Sequence, residues 1–131
     1  MTQTEFKNKL DNSEFWGNNS KEMWEIWDAA YKWQEEANKE NGLIKWSWDC
    51  GLKLDYDGDV CRISSRFYPP HKSSAEYGKY SGTIEVMIGD GYEYIHKHKV
   101  EAKTLDELKS LVEVYVSEII EKIHNAIRTV F

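Results

Sequence analysis

The sequence predicts an α+β fold, in which a four-stranded antiparallel sheet made of two β-hairpins carries N-terminal helices and a long C-terminal helix. Apolar residues recur at helical spacing near both ends of the 131-residue chain. Between these ends, several segments alternate between apolar and polar residues, as half-buried strands do. Short glycine-containing turns join these segments, and two adjacent hairpins most economically form one sheet. We expect a single domain over residues 1–131.

Capping motifs mark the beginning of the first and the last helix. Phe6 and Leu10 are four residues apart, and they follow Thr2 and Glu5, which are spaced as a capping box. Residues 104–107 form another capping box in front of a long apolar pattern. The C-terminal helix therefore has one apolar side, which we expect to cover one face of the sheet.

The second helix is apolar on more than one side. Asn19 is placed to cap it, and the helical pattern continues to about Asn38. Its apolar residues form two stripes: Met23, Trp27, Ala30 and Tyr31, widened by Trp24, and Ile26, Ala30, Trp33 and Ala37. One stripe is enough to seat a helix on a core, so the additional breadth predicts deep burial or a second contact. We expect the stripe around Trp33 to be exposed or self-associating, because Trp residues often anchor interfaces. The predicted interface residues are Trp24, Ile26, Trp33 and Ala37.

The first hairpin is predicted from an unbroken alternation over residues 44–56. Asp57-Gly58 follows directly, and this dipeptide is the strongest short hairpin signal. A two-residue turn at this point pairs Leu54 with Cys61 and brings the apolar sides of the two strands together. Pro69-Pro70 then ends the second strand.

The second hairpin is predicted from residues 80–88 and 92–102, and the Gly-Asp-Gly segment between them leaves two registers open. A three-residue loop pairs Ile88 with Tyr92 and groups the apolar residues of both strands on one face. A two-residue turn would shift the register by one residue and reverse the faces of one strand. We favour the three-residue loop.

The two cysteines are expected to be free. Cys50 and Cys61 share a face of the predicted hairpin but lie about four residues apart along the strands, or roughly 13 Å. A disulfide needs Cα atoms within about 7 Å of each other. We therefore predict two free, buried thiols, and a buried thiol is too inert to serve as a catalytic nucleophile.

Composition and charge exclude several classes of function. The formal net charge of −6 disfavours non-specific nucleic-acid binding, which requires a basic surface. The chain has no run of about eighteen apolar residues, so we expect no membrane span. The first residues do not have the pattern of a secretory signal, and a cytoplasmic location is therefore expected.

Three aspartates have the spacing of a calcium loop, but the pattern is incomplete. The loop would begin with Asp55, Asp57 and Asp59. It would then need glycine at its sixth position and glutamate at its twelfth, where the chain has Val60 and Arg66. We interpret the aspartates as part of a polar hairpin turn.

The sequence offers little for catalysis. His96 and His98 point to one face of a strand, as two metal ligands would, but no paired ligand motif occurs elsewhere. Phosphate-binding, nucleophile-elbow and zinc-protease motifs are also missing from the sequence. We predict no metal, no cofactor and no catalytic residues, and an enzyme is the least favoured class of function.

The outer face of the first hairpin is basic. The predicted register places Lys53 opposite Arg62, and a like-charge pair of this kind either stays solvated or binds an anion. Arginine grips phosphate and carboxylate groups, and tyrosine can stack on a base. The predicted ligand-binding residues are Lys53, Arg62, Arg66, Tyr68, His71 and Lys72.

No sequence motif assigns the chain to a family. Its short length, acidic charge, aromatic content and capped C-terminal helix resemble the style of many small proteins of phages and mobile elements, which would imply an inhibitor of a host defence system. From the residues themselves we predict a non-catalytic binding protein that acts through protein–protein contact. The alternatives are a small-ligand binder that sequesters a nucleotide-like anion and, last, a small hydrolase or metal-dependent enzyme. The sequence leaves self-association into a homo-oligomer and the strand order open.

Overall fold

The computed structural model describes residues 1–12, 20–40, 44–48, 51–58, 61–70, 78–89 and 94–130. Within these ranges the elements are α1 (Gln3–Asp11), α2 (Ser20–Glu40), β1 (Lys45–Trp48), β2 (Leu52–Asp57), β3 (Cys61–Tyr68), β4 (Tyr80–Ile88), β5 (Tyr94–Ala102) and α3 (Leu105–Val130). The predicted α+β class is confirmed. Among the described helices, none is long and apolar enough to cross a bilayer.

The sheet has five strands in the order β1-β2-β3-β4-β5, and each strand runs antiparallel to its neighbours. The predicted number of four is wrong by one, because the alternating segment 44–56 forms two strands that pair with each other. Trp48 lies opposite Leu52, so the chain reverses over the three residues between them. A reversal over an odd number of residues leaves the period-two faces in phase. The alternation therefore could not distinguish one long strand from a tight hairpin.

The hairpin of β2 and β3 turns later than predicted. The N–H of Gly58 donates to the carbonyl oxygen of Cys61 at 3.0 Å, so the chain reverses between these two residues. Leu54 pairs with Ser65, and the predicted pairing of Leu54 with Cys61 is wrong. The two registers differ by an even number of residues, so each side chain stays on its predicted face.

The hairpin of β4 and β5 differs from its prediction in the same way. Ile88 pairs with Tyr94 rather than with Tyr92. The difference is again even, and Ile84 and Val86 lie on the buried face as predicted. Because every even shift of a hairpin keeps its apolar face together, hydrophobic patterning alone cannot select the register.

The helices pack against one face of the sheet, the inner face, and the core lies between them. The largest fully buried side chains are Trp46, Tyr80, Phe6, Phe67 and Leu10. Two edge-to-face ring pairs join helices to β1: Phe6 with Trp48 at 5.9 Å, and Trp33 with Trp46 at 5.7 Å. These contacts seat α1 and α2 at the β1 side of the sheet, whereas α3 also packs against β5.

Of the capping boxes predicted for the first and last helices, the structure confirms the threonine N-caps. The hydroxyl of Thr2 accepts from the N–H of Glu5 at 3.1 Å, and the hydroxyl of Thr104 accepts from the N–H of Glu107 at 3.2 Å. Each hydroxyl satisfies a backbone donor that has no partner within its helix. The predicted cap Asn19 lies outside the described residues.

Side-chain amides of α2 close the β1 edge of the sheet. The N–H of Trp46 donates to Asn38 Oδ1 at 2.6 Å, and Asn38 Nδ2 donates to the carbonyl of Trp46 at 3.0 Å. One turn earlier on the helix, Gln34 Oε1 accepts from the N–H of Trp48 at 3.1 Å. The two amides take the hydrogen bonds of a missing strand, which protects this edge from pairing with another chain.

Asp11 connects α1 to the sheet and to α3. One of its carboxylate oxygens accepts from the Tyr80 hydroxyl and from the N–H of Leu105, both at 2.9 Å. Burial raises the pKa of Asp11 above its ordinary value, and the hydrogen bonds from Tyr80 and Leu105 oppose this rise without cancelling it. The negative charge of Asp11 in this partly buried site therefore lowers the free energy of unfolding.

We predict that Asp11→Asn keeps or raises the free energy of unfolding at neutral pH, because an amide oxygen can accept both hydrogen bonds without a charge. Asp11→Ala should lower it by about 1–3 kcal/mol, because two donors lose their acceptor. Since the pKa of Asp11 is raised in the folded state, the cost of its charge is present above that pKa and is relieved as the pH falls through it.

Chemical denaturation of the three proteins from neutral to mildly acidic pH measures these effects. The advantage of Asp11→Asn over the wild type should shrink as the pH falls. An Asn variant that is less stable than the wild type at neutral pH would contradict the prediction.

Candidate interaction surfaces

Four large apolar side chains are exposed together on α2. Met23, Trp24, Trp27 and Tyr31, here called the aromatic face, are between 46% and 76% exposed. Their spacing places them along one flank of the helix. Isolated exposed apolar residues are ordinary, but a contiguous group that includes three aromatic rings is typical of an interaction site.

The other apolar stripe of α2 is buried, which corrects the predicted interface. Ile26, Trp33 and Ala37 are 1%, 4% and 2% exposed. The expectation that this stripe is exposed or self-associating is therefore wrong, because Trp33 packs against the ring of Trp46 in the core. Trp24 is exposed, and its role in an interface stays a prediction.

Sequence reasoning described the stripe of Met23, Trp27 and Tyr31 but did not place it at the surface. Both stripes are apolar, so hydrophobicity does not rank them. Residue size could have indicated which side of the helix is buried. Ala29 and Ala30 are both 1% exposed, and such small residues allow the helix backbone to approach the sheet closely.

The aromatic face lies on the same flank of α2 as the two amides that close β1. Trp27 and Tyr31 precede Gln34 and Asn38 by about two turns on this flank. Because Asn38 contacts the first half of β1 and Gln34 its last residue, α2 runs antiparallel to the strand. The aromatic face therefore extends beyond the C-terminal end of β1.

The remaining surface of α2 is charged. Lys32 and Asp28 form an exposed ion pair at 3.2 Å. Glu25, Glu35 and Glu36 are exposed as well. Of the acidic residues, Asp28 and Glu35 lie next to the aromatic face, so acidic groups border it on one side. A partner of α2 would meet apolar rings beside a negative rim.

The outer face of the sheet holds a shallow depression of about 470 Å³. Lys53 lies opposite Arg66 in the β2–β3 ladder, and the predicted pairing of Lys53 with Arg62 is wrong. Tyr68 also lines the depression. The remaining lining residues are Ser64, Ser65, Ser81, Gly82, Thr83 and Glu85. Most of these are small, which leaves room for a ligand beside the cationic groups.

Some of the predicted ligand-binding residues do not reach this depression. Arg62 lies opposite Asp57 and roughly 13 Å along β3 from Arg66. His71 and Lys72 lie outside the described residues. The structure therefore brings together the other three predicted residues, Lys53, Arg66 and Tyr68. They share the outer face because Lys53 pairs with Arg66, and Tyr68 lies two residues further along β3.

The depression has one cationic side. In the part of the chain that the structure describes, no ion pair involves Lys53. The acidic residue of the lining, Glu85, is 3.8 Å from Lys97 of β5 and is thus partly neutralised. An anion placed between Lys53 and Arg66 would meet positive charge from both strands.

A groove of about 450 Å³ lies between β5 and α3. His98 and Tyr115 stack there, with ring centroids 4.2 Å apart and ring planes 9° apart. Leu111 and Val114 of α3 line the same groove and are exposed. The Tyr115 hydroxyl is buried with no hydrogen-bond partner among the described residues, and burial raises the pKa of this tyrosine.

The described residues show neither a metal centre nor an activated thiol. No group of three His, Cys, Asp or Glu side chains within them could hold a metal ion. Cys61 is a free, buried thiol as predicted, and burial raises its pKa, which keeps it protonated. Cys50 lies outside the described residues.

Comparison of the chain with protein-family models, with curated proteins and with solved structures gives no match. The function must therefore be inferred from the surfaces themselves. The described residues offer three candidates: the aromatic face of α2, the depression on the outer face, and the groove beside β5.

We predict a large loss of stability on truncation of one tryptophan of α2 and almost none on truncation of another. Trp33→Ala removes a buried ring and should lower the free energy of unfolding by about 3–5 kcal/mol. Trp24→Ala removes an exposed ring and should change it by no more than about 0.5 kcal/mol. Urea denaturation followed by circular dichroism measures both, and equal losses would contradict the assigned burial.

Proposed function

We propose that this protein is a non-catalytic binding protein that acts through protein–protein contact, with α2 as the element that enters the partner. The observation that supports this proposal is the aromatic face, which stays exposed on a helix whose other side is firmly buried. Tryptophan and tyrosine dominate the energetics of protein interfaces. By occupying a groove of its partner, the protein would act as an inhibitor of whatever normally binds there.

The spacing of the aromatic rings favours contact between a helix and a groove. Trp24, Trp27 and Tyr31 stand at i, i+3 and i+7, the positions that anchor an amphipathic helix in an apolar groove. Because the sheet already holds the other side of α2, the helix would not have to fold on binding. This preorganisation lowers the entropic cost of association.

Charge narrows the chemistry of the partner. Asp28 and Glu35 lie next to the aromatic face, and the whole chain has a net charge of −6. A groove with apolar walls and a basic rim would complement this surface, and opposite charges speed association and exclude wrong partners.

We predict that the double variant Trp24→Ala/Trp27→Ala loses partner binding while its fold remains intact. A ring at the centre of an interface contributes about 2 kcal/mol or more, so the two substitutions together should weaken binding by about a hundredfold or more. Affinity capture from the source cells identifies the partner, and calorimetric titration of the purified partner then measures the loss.

The double variant Lys32→Ala/Glu36→Ala is the matched control, because it changes the charged flank of the same helix. It should bind the partner as the wild type does. Equal affinity of the tryptophan variant and the wild type would overturn the proposal, and so would an equal loss in the control.

One observation favours a second function, the binding of a nucleotide-like anion. Lys53 and Arg66 lie opposite each other on the neighbouring strands β2 and β3, and an anion that contacts both side chains would be attracted by both positive charges. The guanidinium fork of Arg66 could hold a phosphate, and the exposed ring of Tyr68 could stack on a base.

For this second function we predict that Arg66→Ala weakens nucleotide binding by about tenfold or more, because a charge-assisted hydrogen bond is lost. Arg62→Ala is the matched control, since this arginine is on the same strand and face but outside the depression. Calorimetry at low salt with a panel of nucleoside phosphates measures both. No heat with any nucleotide, or an equal loss in the two variants, would end this candidate.

A further inference from the structure

The two edges of the sheet differ. At β1, Asn38 and Gln34 of α2 take the backbone hydrogen bonds that another strand would make. At β5, which is nine residues long, the strand order ends, and no described element pairs with the strand beyond it. A long uncovered edge is a template for a further strand.

The hydrogen-bonding pattern determines which residues of β5 face this edge. Trp46 and Trp48 bond outward to α2, so the alternate residues of β1 bond to β2. All four ladders are continuous, with no inserted residue, and the alternation can be followed from strand to strand. On β5, this alternation means that the backbone N–H and C=O groups of four residues point to the open edge: Ile95, Lys97, Lys99 and Glu101.

We propose that two copies of this chain pair antiparallel through β5 and form one continuous sheet. With Lys99 on the two-fold axis, Lys97 of each copy lies opposite Glu101 of the other, so two opposite-charge pairs form. Lys99 then faces its own copy, and Glu101, which is 3.1 Å from Lys99 within the strand, offsets that repulsion.

The charges also distinguish this register from the neighbouring register centred on His98. If the two-fold axis moved by one residue to His98, Lys97 would lie opposite Lys99 of the other copy, and like charges would repel. Lysines on an edge strand usually deter pairing. Here Glu101 stands four residues after Lys97 and makes the strand complementary to itself.

The groove beside β5 gives the second copy an apolar contact. Leu111 and Val114 are 46% and 58% exposed along this groove. A two-fold axis at β5 directs the two α3 helices toward each other across the paired strands. A short peptide strand could complete the backbone pairing but would leave these side chains in water, whereas a second copy would cover them with its own.

Exchange of the paired charges tests the arrangement directly. Lys97→Glu and Glu101→Lys should each raise the dissociation constant of the dimer about tenfold or more, because two cross-strand pairs become repulsive. An equimolar mixture of the two variants should form a mixed dimer, because both of its charge pairs are again opposite in sign. Native mass spectrometry of the full chain, with one variant isotopically labelled, detects this mixed dimer.

Lys97→Pro is a second variant that does not depend on charge. The N–H of Lys97 faces the open edge, so proline removes one hydrogen bond per copy from the dimer and none from the ladder with β4. In sedimentation velocity over a range of concentrations, the wild type should dimerise. The proline variant should remain monomeric with an unchanged circular dichroism spectrum.

The variant Trp24→Ala/Trp27→Ala is the matched control, because it alters the aromatic face and leaves β5 intact. It should dimerise as the wild type does. A wild type that stays monomeric at high concentration would overturn the proposal. A dimer that tolerates both single charge variants, or that only the tryptophan variant disrupts, would overturn it as well.

Discussion

The sheet and both long helices meet at Trp46, and the orientation of α2 depends on this residue. Its ring is fully buried, and its indole N–H donates to Glu113 of α3 at 3.2 Å. The side-chain amide of Asn38 hydrogen-bonds to both the backbone N–H and the backbone carbonyl of Trp46. The ring of Trp33 packs edge-to-face against the ring of Trp46. Rotation of α2 about its own axis would break the partly buried hydrogen bonds of Asn38, and a polar group that loses its partner in such a site costs free energy. The aromatic face is turned to solvent because the opposite stripe of the helix is held at Trp46.

The three surfaces lie on different parts of the fold. The aromatic face flanks β1, the depression lies on the outer face, and the groove beside β5 is at the other side of the sheet. Four strand spacings separate β1 from β5, which is roughly 19 Å. A partner at the aromatic face and a second copy at β5 would therefore not compete for space. A dimer through β5 would carry an aromatic face at each outer end, and a partner with repeated sites would bind it with a gain in avidity.

The chemistry of the candidate residues was predictable, but their exposure was less so. Lys53, Arg66 and Tyr68 were placed on one outer face by parity along their strands, and the structure brings them to one depression. Trp33 and Trp24 are equally apolar and stand on the same helix, yet one is in the core and the other is in solvent. Their difference in exposure depends on which flank of α2 can approach the sheet. That is determined by how the side chains pack together, and the periodicity of the sequence does not specify it.

The amino-acid sequence alone predicts the α+β class, the caps at Thr2 and Thr104, and the face on which each strand residue lies. These are local properties, because a hydroxyl at a helix start and a period of two act within a few residues. The number of strands, the registers of the hairpins and the exposed stripe of α2 were decided by the tertiary structure. Even shifts of a hairpin, or a three-residue reversal within an alternating segment, leave every apolar residue on the same side. The choice among them is made by contacts between residues that are distant in the sequence, such as the indole N–H of Trp46 and the carboxylate of Glu113, 67 residues away.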